Sequence, residues 1–210
     1  MNVRDNPRIV QLKTKVAAAR AELYAALAEE GRMDMRDYTF RTLTGQTTLA
    51  AMFDGGRDLF VIHNMGVTCP NCTLWADGFN GLYPHVSTRA AFFMTSPDPP
   101  ETQAVFAARR GWKFPMVSHA GTTFAEDMGF TDDRGKALPG ISAFQKDGGK
   151  IVRVSASSMQ PGEILASVAW HLLAMLPQGA DGWKPKIALA GEPDPASIPA
   201  LTEEKPLPAR

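Results

Sequence analysis

The fold is decided by a short apolar run, Asp58-Leu59-Phe60-Val61-Ile62-His63, which is separated by five residues from Cys69-Pro70-Asn71-Cys72. The apolar run is typical of a buried strand. Pro70 is tolerated only near the start of a helix, because further in it would clash with the preceding turn. The pattern therefore predicts a strand, a loop and then a helix, with Cys69 at or just before the helix N-terminus and Cys72 in its first turn.

This placement gives the two cysteines different chemical roles. The unpaired N–H groups and the positive dipole end of a helix N-terminus favour a thiolate over a thiol. The thiolate is the attacking species in thiol–disulfide exchange. A step of three residues on a helix brings two side chains to the same face, close enough to form a disulfide. We therefore predict that Cys69 is the nucleophile and that Cys72 resolves the mixed disulfide.

Two other interpretations of the cysteine pair stay open at this point. A single C-x-x-C pair can be half of a zinc site, although two of the four scattered histidines would then have to converge on it. These histidines are His63, His85, His119 and His171. The pair can also be inert, because a free cysteine behaves as a small buried hydrophobe.

Composition and charge exclude several classes of protein. The 210 residues include 22 Lys and Arg and 22 Asp and Glu, so the formal net charge is zero, which argues against a nucleic-acid-binding protein. No apolar run approaches the roughly 18–20 residues needed to cross a bilayer. The N-terminus lacks the apolar segment of a secretory signal. We expect a soluble cytoplasmic protein that contacts no membrane and needs no metal or organic cofactor.

An amphipathic helix is predicted from Asn6 to Glu30. Asn6 is a good N-cap, Pro7 suits the first helical position and Gly31 ends the helix. One apolar stripe recurs at spacings of three and four and comprises Ile9, Leu12, Val16, Ala19, Leu23 and Ala26. The stripe either packs on the body of its own chain or forms a homodimer through paired helices.

The rest of the chain alternates strands with helices, which favours an α/β fold with a parallel sheet and a terminal antiparallel hairpin. Short strands are expected between Tyr38 and Leu49, and further strands at 90–95, 113–118, 140–145 and 151–154. Helices are expected at 100–110 and 161–176. We predict an N-terminal helical extension (residues 1–37), a central domain (38–184) and a proline-rich flexible tail (185–210).

These residues resemble the thioredoxin superfamily, and in particular a bacterial branch of unknown function whose members are labelled predicted dithiol–disulfide oxidoreductases. The resemblance covers roughly residues 8–185. It rests on the strand and cysteine pair above, on Trp75-Ala76-Asp77-Gly78-Phe79, on Gly111-Trp112-Lys113-Phe114-Pro115 with Val117-Ser118, and on Gly140-Ile141-Ser142 ahead of Asp147-Gly148-Gly149. It implies a thioredoxin-like fold, a mixed central sheet flanked by helices, with an N-terminal helical extension. It also implies thiol–disulfide exchange by Cys69 and Cys72 with a protein or low-molecular-weight thiol or disulfide.

The chain departs from thioredoxins at three positions. Thr68 stands where thioredoxins have a Trp before the first cysteine. Pro139 is near the place of their cis-proline, but we expect no cis bond there. His63 occupies the place of their buried acid, six residues before the first cysteine, where an imidazole is able to accept a proton from Cys72. Alternatively, His63 is a buried core residue that makes its hydrogen bonds within the protein and has no part in the chemistry.

Two other functions remain as alternatives. Peroxiredoxins share the fold and resemble the pattern P-x-x-x-T/S-x-x-C, but here Gly66 stands at the place of the hydroxyl residue and Ile62 at that of the proline. A non-catalytic interaction module, in which the N-terminal helix binds partners, is the other. Trp75 and Asp77 either line the rim of the site or pack the helix that follows the cysteines.

Overall fold

A mixed sheet organises the part of the chain that the computed structural model describes, which is residues 3–147, 149–161, 163, 167–178 and 180–185. Its eight strands are β1 (Met33–Met35), β2 (Thr39–Thr42), β3 (Gly45–Thr48), β4 (Asp58–His63), β5 (Ala91–Ser96), β6 (Met116–Ser118), β7 (Gly140–Asp147) and β8 (Lys150–Ser158). Their order in the sheet is β1-β8-β7-β4-β5-β6-β2-β3. The helices are α1 (Pro7–Glu30), α2 (Pro70–Val86), α3 (Pro100–Arg110), α4 (Phe124–Asp127) and α5 (Val168–Leu173).

The centre of the sheet consists of two strand–helix–strand units. Strands β4, β5 and β6 are parallel neighbours, and α2 and α3 make the two connections. Because parallel neighbours are joined by crossovers of one hand, both helices lie on the same face of the sheet. Strand β7 pairs antiparallel with β4 and then with β8. This confirms the predicted α/β class and the mixed sheet flanked by helices.

Strand β4 contributes to a separate core on each face of the sheet. Leu59 and Val61 point into a cluster built around Phe124, while Ile62 points into the cluster beneath α2 and α3. This alternation follows from the two-residue period of a strand. We call the first side the Phe124 face and the second the helix face. Cys72 belongs to the helix face.

Residues 33–48 lie at both edges of the sheet. At one edge, β1 pairs with β8, and Met33 lies opposite Arg153. At the other edge, β2 pairs with β6 through Arg41 and Ser118 and forms a hairpin with β3. The sheet therefore begins within the predicted N-terminal extension. The proposed division at residue 38 stays a prediction.

Local signals predicted most of the elements but not all of their bounds. The hairpin at Asp147 is confirmed, with Asp147 opposite Lys150, although β7 and β8 are longer than expected. Strand β6 is shorter than expected and starts only after Pro115. Strand β1 and helix α4 were not predicted. Helix 161–176 is represented by α5, and its residues 162 and 164–166 lie outside the described residues, as does most of the expected tail.

Helix α1 begins as predicted, but its apolar stripe is not buried against the body of its own chain. The Asn6 side chain accepts hydrogen bonds from the backbone N–H groups of Arg8 (3.0 Å) and Ile9 (3.3 Å), and Pro7 opens the helix. Within the described chain, no residue of α1 is buried. Near its end, Leu27 lies against β7 and β8. The expectation that the whole stripe packs on its own chain is therefore wrong.

Among the described residues, no helix is both long enough and apolar enough to cross a membrane. The same residues contain no group of three or more His, Cys, Asp and Glu side chains that is able to hold a metal ion.

Candidate active site

The two cysteines lie at the N-terminus of α2, as the sequence predicts. Cys69 is the N-cap residue, with an extended backbone, and Pro70 occupies the first helical position. The backbone N–H of Cys72 donates a hydrogen bond to the Cys69 Sγ over 3.2 Å. Both cysteines are free thiols. The cysteine sulfur thus takes the place of the side-chain oxygen that usually caps a helix.

The surroundings of the two sulfurs shift their pKa values in opposite directions. The pKa of Cys69 is lowered from its ordinary value of 9.0 to about 7, mainly because the Cys72 thiol donates a hydrogen bond to it. The backbone N–H groups of Cys72 and Asn71 and the charge of Lys136 lower it further, while partial burial opposes them. The pKa of Cys72 is raised, first because its thiol donates to Cys69, and then by burial and by the negative charge of Cys69.

Accessibility follows the same division. Cys69 is partly exposed, whereas Cys72 is 2% exposed and packs in the cluster of the helix face. The Cys69 Sγ also contacts the Met65 Sδ at 3.9 Å. A reactant that arrives from solvent therefore meets Cys69 first. Cys72 is positioned behind it, one helical turn along.

A hydrogen-bond network that sequence reasoning missed holds the loop between β4 and Cys69. The Asp98 carboxylate accepts hydrogen bonds from the backbone N–H of Val67 (3.0 Å) and from the Ser96 Oγ (2.9 Å). The amide of Gln103, in α3, donates to the same Ser96 Oγ (2.9 Å). The loop that carries Cys69 is thus tied to β5 and α3.

Gly66 is the point where this loop passes closest to Asp98. Its φ is +110°, a conformation that favours glycine, and a Cβ added there would lie 3.1 Å from an Asp98 carboxylate oxygen. The Gly66 N–H donates to the Asn64 Oδ1 over 2.7 Å. The available signal in the sequence is the glycine three residues before the cysteine. It marks a position where a side chain does not fit.

His63 lies on the Phe124 face of the sheet, opposite the face that contains Cys72. Its ring contacts the rings of Phe124 and Phe130, with centroids 5.4 Å and 4.2 Å away, and its Nε2 is hydrogen bonded to the Ser142 Oγ at 2.9 Å. Burial lowers the pKa of His63 well below its ordinary value. The structure does not bring His63 together with Cys72. Its role as a proton acceptor for that thiol stays a prediction without support from this packing.

Trp75 is 4% exposed and packs in the same cluster as Cys72. Its Nε1 has no hydrogen-bond partner among the described residues. Asp77, two residues on, forms an ion pair with Arg110 and accepts a hydrogen bond from the Trp112 Nε1 at 2.9 Å. Both side chains therefore hold α2 against its neighbours. A supporting role for Trp75 in the chemistry stays a prediction.

Pro139 precedes β7 and is buried, and the described residues contain no cis peptide bond. The next residue, Gly140, packs against Phe130 so closely that an added Cβ would lie 1.9 Å from its ring. The glycine at this strand start is therefore required by packing.

The comparisons with known proteins place this site in a redox-protein fold. Over residues 7–189 the chain matches a family described as "Bacterial protein of unknown function (DUF899)". No curated protein matches it. Among solved structures, it is similar to peroxidoxin BcpB from Mycobacterium tuberculosis, with 25% identity and a TM-score of 0.50 over 60% of this chain and 83% of that chain.

Two further solved structures share the fold at lower identity. A putative thioredoxin reductase from Burkholderia cenocepacia is 17% identical, with a TM-score of 0.50 over 69% of this chain and 95% of that one. AhpC from Enterococcus faecalis is 15% identical, with a TM-score of 0.50 over 69% of this chain and 88% of that one. These similarities confirm the thioredoxin-like fold that the sequence motifs imply. The chain belongs to the DUF899 family of bacterial proteins of unknown function.

Proposed function

We propose that the protein is a thiol–disulfide oxidoreductase in which Cys69 attacks and Cys72 resolves. The observation that carries this proposal is the difference between the two sulfurs. Cys69 is partly exposed and has a pKa lowered to about 7, whereas Cys72 is buried and has a raised pKa. A nucleophile of an exchange reaction reacts as a thiolate, and the best attacking thiols have a pKa near the ambient pH.

In the reductive direction, the Cys69 thiolate attacks one sulfur of a substrate disulfide. A Cys69–substrate disulfide forms, and the other substrate sulfur leaves as a thiolate. Cys72 then loses its proton and attacks the Cys69 Sγ, which forms the Cys69–Cys72 disulfide and releases the second substrate thiolate. Two electrons pass from the dithiol to the substrate, and the reverse sequence oxidises a dithiol.

Once Cys69 is part of a mixed disulfide, the Cys72 thiol gains reactivity. Two of the causes that raise the pKa of Cys72 are its hydrogen bond to Cys69 and the negative charge on that sulfur. Both are lost when Cys69 becomes bonded to the substrate. The resolving thiol is thus held protonated until it is needed. The exchange itself uses protein sulfur atoms and the substrate alone.

The substrate class in this proposal is a protein or small-molecule disulfide or dithiol in the cytoplasm. Cys69 is partly exposed, as attack by its sulfur on a substrate disulfide requires. Similarity to a 25% identical peroxidoxin supports thiol redox chemistry in general.

The test is reduction of insulin disulfides by the full chain with dithiothreitol as the electron source. We expect turnover by the wild type and none by Cys69→Ser. Cys72→Ser, reduced and then mixed with insulin after removal of dithiothreitol, should instead accumulate a mixed disulfide through Cys69, which mass spectrometry detects. If the wild type shows no turnover and its Cys69 has the pKa of a free cysteine, the protein is a non-catalytic interaction module and the proposal fails.

Hydroperoxide reduction is the second candidate, favoured by the similarity to the Mycobacterium tuberculosis peroxidoxin. In that reaction the Cys69 thiolate attacks a peroxide oxygen, which gives a sulfenic acid and an alcohol or water, and Cys72 condenses with the sulfenic acid to give the disulfide and water. Gly66 opposes it, because the hydroxyl side chain of the peroxiredoxin pattern is absent there, and an added Cβ would lie 3.1 Å from an Asp98 carboxylate oxygen at a positive φ. Rapid oxidation of wild-type Cys69 by hydroperoxide, faster than its reaction with a disulfide, would establish this alternative.

A further inference from the structure

Helix α1 presents an apolar stripe to solvent. Within the described chain, no residue of this 24-residue helix is buried, and Leu12, Val16 and Leu23 are 50%, 58% and 49% exposed. In its last turns, Tyr24 and Leu27 line a groove on the sheet. A stripe of this kind in a soluble protein marks an interaction surface.

The stripe has the spacing of a coiled-coil seam. Its residues occupy alternating positions a and d of a heptad, in the order Ile9, Leu12, Val16, Ala19, Leu23 and Ala26. The position directly before each a, called g, is charged in every heptad of the helix. The g residues are Arg8, Lys15, Glu22 and Glu29. The first two are basic and the last two are acidic.

The helix itself does not explain this order of charges. Acidic residues stabilise the N-terminal end of a helix dipole and basic residues its C-terminal end, and α1 has the reverse order. Ion pairs within a helix join residues three or four apart. The residues three and four positions from Lys15 and Glu22 are all uncharged. A partner outside the helix is needed to use these charges.

We propose that α1 pairs antiparallel with α1 of a second copy of this chain. In an antiparallel pair, g positions face each other, so Lys15 faces Glu22 of the second copy and Arg8 faces its Glu29. The two-fold symmetry makes four such ion pairs. The seam then brings Leu12 against Leu23 of the second copy, Ile9 against its Ala26 and Val16 against its Ala19.

A parallel pair has the opposite electrostatic outcome. There each g residue faces the e residue five positions later in the other helix. Arg8 would face Lys13 and Lys15 would face Arg20, so these contacts would be repulsive. The antiparallel pair has one unfavourable contact type of its own, Lys13 against Arg20. This contact occurs twice, against four attractive contacts on the other flank.

The proposed dimer is weak and concentration-dependent. A 24-residue helix is about 36 Å long, so the seam has only three heptads, and two of its six apolar positions are alanine. Interfaces at the small end of the observed range are typical of transient association. The inference is independent of the proposed redox activity.

The first test is sedimentation of the full chain over a range of concentrations. We expect a monomer–dimer equilibrium that Leu12→Glu weakens by more than about tenfold, because it places a charge in the seam. Ala21→Glu is the matched control, since Ala21 is exposed on the opposite side of α1 and should leave the equilibrium unchanged. Circular dichroism checks that both variants remain folded.

The second test exchanges charges between copies. Lys15→Glu and Glu22→Lys should each weaken self-association by about tenfold, because each turns two attractive pairs into repulsive ones. A mixture of the two variants should recover dimer. In a dimer that contains one copy of each variant, both contacts between positions 15 and 22 again join opposite charges. A parallel dimer would instead be strengthened by Lys15→Glu, because the new carboxylate would then face Arg20.

Four results overturn the proposal. The first is a wild type that remains monomeric at the highest concentrations. The second is a dimer that Leu12→Glu leaves intact. The third is a mixture that associates no better than its components. A monomer that binds vesicles of phosphatidylserine would assign the helix to an anionic membrane surface instead, which also overturns it.

Discussion

The Cys72 side chain is expected to control the reactivity of Cys69, and the variant Cys72→Ala tests this directly. The hydrogen bond from the Cys72 thiol is the largest cause that lowers the pKa of Cys69. The alanine variant removes that donor and leaves the backbone N–H groups of residues 71 and 72 in place. The pKa of Cys69 should therefore rise from about 7 toward its ordinary value of 9.0.

The expected decrease in the alkylation rate of Cys69 follows from its thiolate fraction. At pH 7, a thiol with a pKa of about 7 is about half ionised, and one with a pKa of 9.0 is about 1% ionised. Alkylation of Cys69 by iodoacetamide at pH 7 should thus slow by several-fold in Cys72→Ala, and by about fifty-fold if the pKa reaches 9.0. Because the chain has two cysteines, this variant has a single thiol and its rate needs no deconvolution.

Cys72→Ser is the matched control, since its hydroxyl group is still able to donate a hydrogen bond. Its alkylation rate should lie between those of the wild type and Cys72→Ala. The rate is measured against pH, and the midpoint gives the pKa of Cys69. The reasoning is refuted if the wild-type midpoint lies near 9.0, or if the serine and alanine variants share the wild-type midpoint.

Three further predictions concern residues that stabilise the loop before Cys69, the sheet and helix α2. Gly66→Ala should destabilise the protein by about 1–3 kcal/mol and lower disulfide reductase activity, because the new Cβ meets Asp98 at a positive φ. The matched control is Gly78→Ala, where the Cβ enters open space on α2; it should be neutral or stabilising by up to about 1 kcal/mol. Equal denaturant midpoints for the two variants would contradict this. Burial lowers the pKa of His119 from 6.5 to about 4, so the unfolded chain binds more protons between these values and stability falls as the pH is lowered through that window. Because of this difference in pKa, the free energy of unfolding of the wild type should fall by about 2 kcal/mol between about pH 7.5 and pH 5. His119→Asn should show a smaller decrease in urea titrations. An unchanged dependence of the free energy of unfolding on pH would reject the assignment. Asp77→Ala should cost about 2–4 kcal/mol, since it leaves the nearly buried Arg110 without its carboxylate, and Asp77→Asn should cost less; a loss below about 0.5 kcal/mol in both, by the same titrations, would show that the pair is unimportant.

The elements that the sequence predicts best are those with a local physical cause. The apolar run 58–63 and Pro70 predict a strand, a loop and a helix start without any knowledge of distant residues. Asn6 and Pro7 do the same for α1. The roles of the two cysteines follow from that helix start alone. The difference in pKa between them agrees with this expectation.

The features that were missed depend on contacts between distant residues. Met33–Met35 is a strand only because β8 lies beside it, and three residues alone show no period. Asp98 supports the loop of Cys69 across 31 residues of sequence, through a backbone N–H that no motif marks. His63 has the expected spacing from Cys69, but spacing along the chain does not decide which face of a buried strand a side chain occupies. Here neighbouring residues on β4 point to opposite faces, and the ring lies with Phe124.

The pairing of β1 with β8 has a consequence for the order of assembly during synthesis. The segment 33–48 is synthesised before the strand that pairs with β1, because β8 is the last of the described strands along the chain. The same late strand supplies Arg153, whose side chain binds the carbonyl of Gly31 at the end of α1 (2.8 Å). Helix α1 therefore lacks this contact until β8 has been translated. The direction of α1 relative to the sheet is thus fixed late in folding, by a residue that follows Gly31 by 122 positions.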